Sequence, residues 1–581
     1  MLTQIARPKP HEINRHDSRE RSRHVDCILA QAHLVGHPLF KQLVFELKTA
    51  PPTYEPPERH RMHGSLLDSC VASLRLDEAP LRESVLQRGG TIFSDGWDSI
   101  DRSHLINLLV GNVGGVFFDG TVEVGSEDSE NAASVADLLV AFAKRQGALS
   151  IIQVCTDTCA VMQAAWRQIE KELPWITATC CGTHVISLEL KDLAKLPAVA
   201  NVIAKVQKVL SLFWGRKRWP RLRLRELIRT NHGREFGLYR AKQTRFAGKF
   251  REMARLLRAK ADLQQIVVSA EYSQQKFSKP KRREDETDDD NLSANIGPEV
   301  KVIILDDAGF WADLVTILKV AMPLIKLLRM LDSRKAVIGK VYDRMFMIGE
   351  KLRGMDASVS WASDALKIHE KRWEYLHSEM HAAAYALDPE FVESVGELDA
   401  ATQSGLLAVL ERMALRDAIL ASDDQESAIL LLDQSCPEVI QRVAQVEREL
   451  ALYQQQTGPF TRPSVRANAK TMEPSSWWQT YGSHLPLLCK YAKCILAQPA
   501  AASCAERNWS IYGLIKSDRR TRTRPAVADK RVYCHEALAL HAKLQDAGFT
   551  PEAEPWDEDS DTDSDESDEA DEDDELLRLM V

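Results

Sequence analysis

The sequence lacks three features that would each decide a broad class of protein. No apolar run in its 581 residues approaches the roughly 18 residues of a membrane span, and its first residues are too polar for a secretory signal. No CxxC pair of the kind that builds a zinc knuckle is present. The 11 cysteines are odd in number and scattered, which fits reduced thiols better than a disulfide framework. We therefore expect neither a secreted nor a membrane protein, and we expect a reducing compartment.

Negative charge is concentrated near the C-terminal end of the chain. The 75 Lys and Arg and 84 Asp and Glu give a net charge of −9, which taken alone argues against nucleic acid. Residues 557–575, however, hold 14 carboxylates and no Lys or Arg, which leaves 70 acidic against 75 basic residues elsewhere. The rest of the chain is therefore positive by 5, and nucleic acid is not excluded.

Short β-rich runs separated by Gly and Asp begin near Gly89. We predict strands over 91–93, 104–110, 116–124, 151–155 and 176–180, with the first three antiparallel. Apolar residues at helical spacing predict helices over 132–144 and 159–173, and a long helix over 184–213. The resulting order of elements is β-β-β-α-β-α-β-α, which predicts an α/β fold with a mixed sheet.

The composition changes along the chain predict five segments. They are a mobile polar leader over 1–84 without a recognisable zinc finger, a mixed core over 85–260 ending in a basic block, a helical insertion over 261–470 with a disordered linker near 278–295, a C-terminal part over 471–545, and an acidic tail over 546–581.

Three carboxylates form the candidate chemical site. Asp95 and Asp157 each follow a predicted strand, and they would meet at one edge if those strands are neighbours. Each residue also has an ordinary interpretation: Asp95 as a turn residue, Asp157 as a helix N-cap, and Glu506 as part of a capping box that starts at Ser503. Together, the three carboxylates could hold Mg²⁺ ions that promote phosphodiester displacement.

Six short strings occur in one order along the chain. They are Ser94-Asp95-Gly96-Trp97, Thr156-Asp157, Cys181-Gly182-Thr183-His184, Thr244-Arg245-Phe246, the string from Met380 to Pro389 (MHAAAYALDP), and Ala505-Glu506-Arg507-Asn508-Trp509-Ser510. Over about residues 85–545, the chain resembles a transposase of the hAT superfamily. Its first part is similar to the domain of unknown function 659, and its end is similar to the hAT C-terminal dimerisation region.

The resemblance implies a ribonuclease H-like core that a large all-helical insertion interrupts. It assigns Asp95 and Asp157 to the first two catalytic aspartates and Glu506 to the catalytic glutamate, which together would bind Mg²⁺ or Mn²⁺. Cys181 and His184 match a CxxH element near the active site, although a buried cysteine with a capping histidine is an equally ordinary interpretation. The partners that it implies are DNA and a second copy of the chain in a homodimer or higher oligomer.

The chain also departs from the pattern of such transposases. They commonly begin with a zinc finger that binds DNA, whereas residues 1–83 contain only Cys27 and Cys70, which are too far apart for ordinary ligand spacing. Thr158 stands where Asn is frequent, and Arg524-Pro525 replaces an Arg-Leu pair. These departures leave a second hypothesis open, in which the protein is a nuclear DNA-binding and dimerising regulator without catalysis.

The block over 216–260 contains 16 Lys and Arg and three acidic residues, interleaved with aromatic residues. This density predicts contacts with DNA phosphates, although Arg-rich helices are often only solvated faces. The candidate DNA-binding residues are Arg216, Lys217, Arg218, Arg221, Arg223, Arg225 and Arg245. The run over 279–283 (KPKRR) predicts nuclear localisation.

The acidic tail is predicted to compete with DNA for the basic block. Deleting residues 557–575 removes 14 negative charges and should tighten DNA binding at low salt. The dissociation constant of the full and the shortened chain, measured by fluorescence anisotropy at about 50 mM and about 300 mM salt, tests this. Equal or weaker affinity of the shortened chain at low salt would contradict a competing tail.

Overall fold

The computed structural model describes residues 45, 48, 57–99, 102–124, 131–214, 218–233, 236–238, 240, 247–275, 277, 296–333, 335–431, 433–516 and 523–545. The chain divides into two compact units, Met1–Leu67 and Asp68–Val581. The predicted linker, the acidic tail, the basic run over 279–283 and most of the leader lie outside the described residues. The first unit includes helix α1 (Arg59–His63).

A six-stranded mixed sheet lies in the second unit. Its strands are β1 (Gly90–Phe93), β2 (Gly96–Asp98), β3 (His104–Asn112), β4 (Gly115–Val124), β5 (Ile151–Thr156) and β6 (Thr177–Cys180). Strands β1, β3 and β4 pair antiparallel, whereas β5 runs parallel to both β1 and β6. Strand β5 (IIQVCT) is buried along its whole length, as its mostly apolar sequence predicts for a central parallel strand.

Strands β1 and β2 are two halves of one extended segment. Phe93 pairs with Leu109 and Gly96 pairs with Ile106 on the same partner strand, so both halves share one register along β3. That register places Asp95, in the break between the halves, opposite Asn107. The sequence did not predict β2, because three residues are too few for a visible alternation.

Helices, the first of which begins at Ser65, make up most of the remaining described residues. The list, in chain order, is α2 (Ser65–Asp77), α3 (Ala79–Arg88), α4 (Ala132–Arg145), α5 (Ala160–Glu172), α6 (Gly182–Leu193), α7 (Pro197–Phe213), α8 (Arg218–His232), α9 (Ala247–Arg258), α10 (Lys260–Val268), α11 (Ala270–Gln274), α12 (Gly297–Leu305), α13 (Ala312–Asp332), α14 (Lys340–Arg353), α15 (Ala362–Leu376), α16 (Glu379–Leu387), α17 (Ala400–Leu420), α18 (Gln425–Leu431), α19 (Pro437–Gln454), α20 (Pro463–Ala469), α21 (Pro474–Tyr481), α22 (Pro486–Leu496), α23 (Ser503–Ile515) and α24 (Pro525–Gln545).

Side-chain caps and N-terminal prolines fix where many of these helices begin. The Asn131 side chain accepts the backbone N–H of Ala133 at the start of α4, and Asp399 does the same for Ala401 at the start of α17. Proline stands in the first turn of α7, α12 and α19 to α22, where its missing N–H costs no hydrogen bond.

The predicted long helix over 184–213 is two helices, because α7 starts afresh at Pro197 and is bent by 87° from α6. This pair passes the length and composition test for a membrane span only when its halves are counted together. No single helix among the described residues is long and apolar enough to cross a membrane.

Buried polar contacts hold the helical insertion over 261–470 against the sheet and the helices beside it. His369 Nδ1 on α15 lies 2.8 Å from a carboxylate oxygen of Glu189 on α6, and both side chains are buried. On α17, the Arg416 Nε donates to the carbonyl of Leu149, and Arg412 donates to the carbonyl of Ile176. Each bond satisfies a backbone or charged group that burial would otherwise leave unpaired.

Part of the predicted polar leader contributes to the interior. Helix α2 buries Leu74, and Glu78, between α2 and α3, is also buried. The Glu78 carboxylate accepts hydrogen bonds from Tyr533 at 2.7 Å and from Arg82 at 3.2 Å. A glutamate that looks solvent-facing in the sequence is therefore an internal acceptor between α24 and the N-terminal helices.

The predicted α/β fold class, a mixed sheet with a large helical part, is confirmed. Five predicted strands match β1, β3, β4, β5 and β6, and the predicted helices over 132–144 and 159–173 match α4 and α5. The differences are the added strand β2 and the break at Pro197, which begins α7 instead of lying inside a helix.

A buried histidine on α16 should make the fold sensitive to acid. Burial lowers the pKa of His381 from 6.5 to about 4, with the nearby His377 as a smaller cause. As the pH falls below 6.5, the unfolded chain therefore takes up a proton before the folded chain does, and stability decreases towards pH 4. Between pH 7.5 and pH 5 this single group should cost about 2 kcal/mol.

The measurement is the free energy of unfolding in urea, at about pH 7.5 and about pH 5, for the wild type, His381→Gln and the control His377→Gln. We expect the acid-induced loss to be about 2 kcal/mol smaller in His381→Gln than in the other two. The same loss in all three proteins would show that His381 does not titrate as described.

Candidate active site

Two of the predicted carboxylates follow neighbouring parallel strands in matching positions. Phe93 at the end of β1 pairs with Cys155 on β5, and Asp95 and Asp157 each stand two residues further along. The carboxyl ends of parallel strands lie at one edge of the sheet, so the two aspartates meet there. This is the side-by-side arrangement of the two strands on which the sequence hypothesis depended.

The third carboxylate returns to the same edge through the segment 497–502, which we call the return segment. The Val113 N–H donates to the carbonyl of Ala497 at 3.0 Å, and the Gly182 N–H donates to the carbonyl of Ala500 at 3.0 Å. The Gln153 side chain on β5 donates to the carbonyl of Pro499 at 3.2 Å. These bonds hold the start of α23, and with it Glu506, beside the sheet.

Two of the ordinary interpretations offered for the carboxylates are wrong, namely Asp157 as a helix N-cap and Glu506 as part of a capping box. Helix α5 has Cys159 and not Asp157 at its N-cap, and the Asp157 carboxylate lies 3.5 Å from the Cys159 nitrogen. Ser503 lies inside α23 and its hydroxyl accepts from Arg507 at 3.1 Å, so the capping box is not formed and Glu506 is exposed. Asp95 does accept the N–H of Gly96, as a turn residue would.

The three carboxylates influence one another electrostatically. The pKa of Asp95 is raised from 3.8 to about 6, first by burial, then by the negative charge of Glu506 and then by that of Asp157. The N–H of Gly96 and the indole of Trp509 act in the opposite direction. A partly buried carboxyl group repelled by two neighbours is a place where a cation is favoured.

The donor set suits a hard divalent cation, because all three groups offer carboxylate oxygens. Among the described residues, no group of three or more His, Cys, Asp or Glu side chains is already closed enough to hold a metal ion. Mg²⁺ in phosphoryl-transfer sites is commonly held by one or two carboxylates, with water and substrate phosphate completing its shell. The three carboxylates therefore suit such a cation by their chemistry, whereas the described residues do not form a ready-made set of ligands around one.

Two family models match the chain, and each covers part of this site. The model for the domain of unknown function DUF659 matches residues 57–209, which include the whole sheet, Asp95 and Asp157. The model for the hAT family C-terminal dimerisation region matches residues 449–538, which include Glu506. The two matches support a hAT-family transposase. Comparison with curated proteins gives no match.

The hAT assignment carries a ribonuclease H-like fold and supports self-association of the chain through its C-terminal region. The order of the sheet agrees with that fold, because an antiparallel run of β4, β3 and β1 is extended by two parallel strands, β5 and β6.

Cys181, from the CxxH string of this hAT protein, contacts the return segment. Its thiol accepts the N–H of Ala502 at 3.1 Å and lies 3.0 Å from the hydroxyl of Thr183, and burial raises its pKa. Gly182 allows the close approach, since a Cβ there would lie 2.9 Å from the carbonyl oxygen of Ala500. His184 is half-buried on α6. The cysteine therefore contacts the segment that leads to Glu506.

Aromatic rings hold helix α23 of the hAT C-terminal region against β2. Trp97 stacks on Trp509 with ring centroids 5.3 Å apart, and Tyr512 meets Trp97 edge-on at 5.6 Å. Trp477 and Trp478, which also belong to the C-terminal region, are fully buried. The sequence strings contained Trp97 and Trp509 but gave no indication that they touch.

The candidate DNA-binding residues fall partly outside the described chain. Arg216, Lys217 and Arg245 are not among the described residues. Four others are exposed on α8: Arg218, Arg221, Arg223 and Arg225. The described aromatic residues of the block serve mainly as packing, because Phe236 and Phe250 are buried and Trp219 lies against Tyr272 and Phe277.

One residue that sequence reasoning missed is Asn107 on β3. Its side chain is buried and contacts both the backbone of Asp95 and the helix of Glu506. The available signal was a lone polar residue inside the apolar strand sequence HLINLLVGN.

Proposed function

We propose that this hAT protein is a nuclear, dimerising transposase that cleaves DNA and transfers strands with Mg²⁺ or Mn²⁺ held by Asp95, Asp157 and Glu506. The observation that carries the proposal is the convergence of three acidic side chains, from the ends of β1 and β5 and from α23, at one edge of the sheet. Carboxylates grouped in this way suit metal-assisted phosphodiester displacement.

Each carboxylate has a distinct structural support for that reaction. Asp95 and Asp157 each stand two residues beyond the last pair of the parallel ladder of β1 and β5, so the sheet places both at the same edge. Glu506 stands on an exposed helical face that the return segment and the stacked Trp97 and Trp509 hold in place. A bound divalent cation would supply activation of the attacking oxygen and stabilisation of the leaving oxygen.

In the cleavage step, a water oxygen forms a bond to phosphorus while the bond from phosphorus to the 3′ oxygen breaks. The water loses a proton and the departing 3′ oxygen gains one, so charge and atoms balance. In strand transfer, the freed 3′ hydroxyl takes the place of water. When no cation is bound, the pKa of Asp95, raised to about 6, brings the protonation of this carboxyl group closer to neutral pH.

The DNA backbone is proposed to lie along the exposed face of α8. Arg218 and Arg221 are exposed and, among the described residues, have no carboxylate partner, so their charge is available for phosphate. Arg223 is partly neutralised by Glu226 at 2.7 Å. Basic residues in this arrangement give affinity without sequence specificity.

The catalytic part of the proposal is tested by nicking of supercoiled plasmid DNA in the presence of Mn²⁺ or Mg²⁺. We expect nicking by the wild type and a loss of about 100-fold or more in Asp95→Asn, Asp157→Asn and Glu506→Gln, because each change removes one ligand charge. The control Asp98→Asn changes an exposed carboxylate only three residues from Asp95 and should keep full activity.

Nicking that survives in all three variants would overturn the assignment of the carboxylates. A wild type that binds DNA but nicks with neither metal would favour the alternative, a dimerising DNA-binding regulator without catalysis.

The DNA-binding part is tested by the dependence of affinity on salt. The double variant Arg218→Ala/Arg221→Ala should reduce the magnitude of the slope of log K, where K is the association constant for DNA, against log salt concentration by about 2. Each arginine that neutralises a phosphate adds roughly one to that magnitude. Arg353→Ala is the control, since Arg353 is exposed on α14 and paired with Glu350 at 2.6 Å. An unchanged slope in the double variant would remove α8 from the DNA interface.

A further inference from the structure

A single buried amide connects the two parts of the chain that supply the carboxylates. Asn107 on β3 has no exposed surface. Its side-chain oxygen accepts the backbone N–H of Asp95 at 2.9 Å, and its side-chain nitrogen donates to the carbonyl of Ala505 at 2.9 Å. Ala505 immediately precedes Glu506, so one side chain contacts the backbone next to both catalytic candidates.

The orientation of this amide is fixed by its partners. A backbone N–H can only donate, so the group facing Asp95 must be the amide oxygen. The nitrogen must then face α23, where it also lies 3.3 Å from the side-chain oxygen of Asn508. No rotation of the amide satisfies both sides in another way, and neither a shorter nor an apolar side chain could replace it.

The contact with Asp95 also explains the break between β1 and β2. In the shared register Asp95 and Asn107 stand opposite one another, and the Asn107 N–H does donate to the Asp95 carbonyl at 3.1 Å. The second bond of such a pair would use the backbone carbonyl of Asn107. The side-chain oxygen takes its place here, so the ladder opens at Asp95.

We propose that Asn107 is a positioning residue that fixes the spacing of the Asp95 and Glu506 carboxylates for a divalent cation. The inference rests on the proposed function, because it assigns a role at the same site. Asn107 does not touch the cation or DNA; it acts through the backbone of Asp95 and the first turn of α23. Residues that orient metal ligands in this way commonly change metal affinity or activity by about 10-fold to 100-fold when replaced.

A matched control lies on the same strand. Asn112 is also buried, donates to the carbonyl of Gly89 at 3.1 Å and accepts the N–H of Gly114 at 2.9 Å. Neither partner belongs to the carboxylate cluster. Asn107→Leu and Asn112→Leu therefore remove comparable hydrogen bonds from one strand, and only the first should alter the site.

The experiment measures stabilisation of the full chain by Mn²⁺, as the shift in melting temperature against metal concentration, in the absence of DNA. We expect Asn107→Leu to need about tenfold more Mn²⁺ for half of the effect, while Asn112→Leu resembles the wild type. Plasmid nicking should fall in parallel in Asn107→Leu, with DNA affinity unchanged. If Asn107→Leu does not fold, Asn107→Thr and Asn112→Thr provide the same comparison with a β-branched residue suited to a strand.

A double-mutant cycle distinguishes positioning from general loosening of the strand. If Asn107 acts through Glu506, Asn107→Leu should have little further effect on Mn²⁺ affinity once Glu506→Gln is present. Equal Mn²⁺ requirements in Asn107→Leu and Asn112→Leu, or fully additive effects with Glu506→Gln, would overturn the inference. A wild type that shows neither Mn²⁺ stabilisation nor nicking would instead overturn the proposed function, and the inference with it.

Discussion

The hydrogen bonds between the return segment and the sheet are the constraint on which the site depends. The pairing of β1 with β5 brings together only two acidic residues, and Glu506 is 349 positions beyond Asp157. Bonds from Val113, Gln153 and Gly182 to the carbonyls of residues 497–500 give the chain one path back across the sheet. Because buried backbone carbonyls must be paired, any shift along this path would leave several of them unsatisfied at once.

Local features of the fold were predictable from the sequence, and its long-range contacts were not. Alternating and continuous apolar runs gave the positions of β1, β3, β4, β5 and β6. They did not give β2, which is too short, or the sharp bend at Pro197, where proline occupies a first helical turn that tolerates it. The grouping of Asp95 with Asp157 followed from two strand ends, but nothing in the local sequence placed Glu506 beside them. That placement came only from the resemblance to a family.

The roles of the basic and aromatic residues in the block over 216–260 were also only partly predictable from the sequence. The density of Arg in the basic block predicted an exposed positive face, and α8 has one. The aromatic residues between those arginines fitted a nucleic-acid interface, but Phe236 and Phe250 are interior, and the Arg258 guanidinium lies 4.1 Å from the Phe236 ring centre. Sequence spacing cannot separate an aromatic residue that faces solvent from one that faces the core when their period is irregular.

The long separation of the carboxylates has a consequence for how the protein is made. Asp95 and Glu506 are 411 positions apart, and chains are synthesised at about 5–20 residues per second. Asp95 therefore emerges from the ribosome roughly 20 to 80 seconds before Glu506, the residue that completes the acidic edge of the sheet. A nascent or prematurely terminated chain that has already formed β1 to β6 carries only two of the three acidic groups. Because of this topology, the three carboxylates can come together only after almost the whole polypeptide has been synthesised.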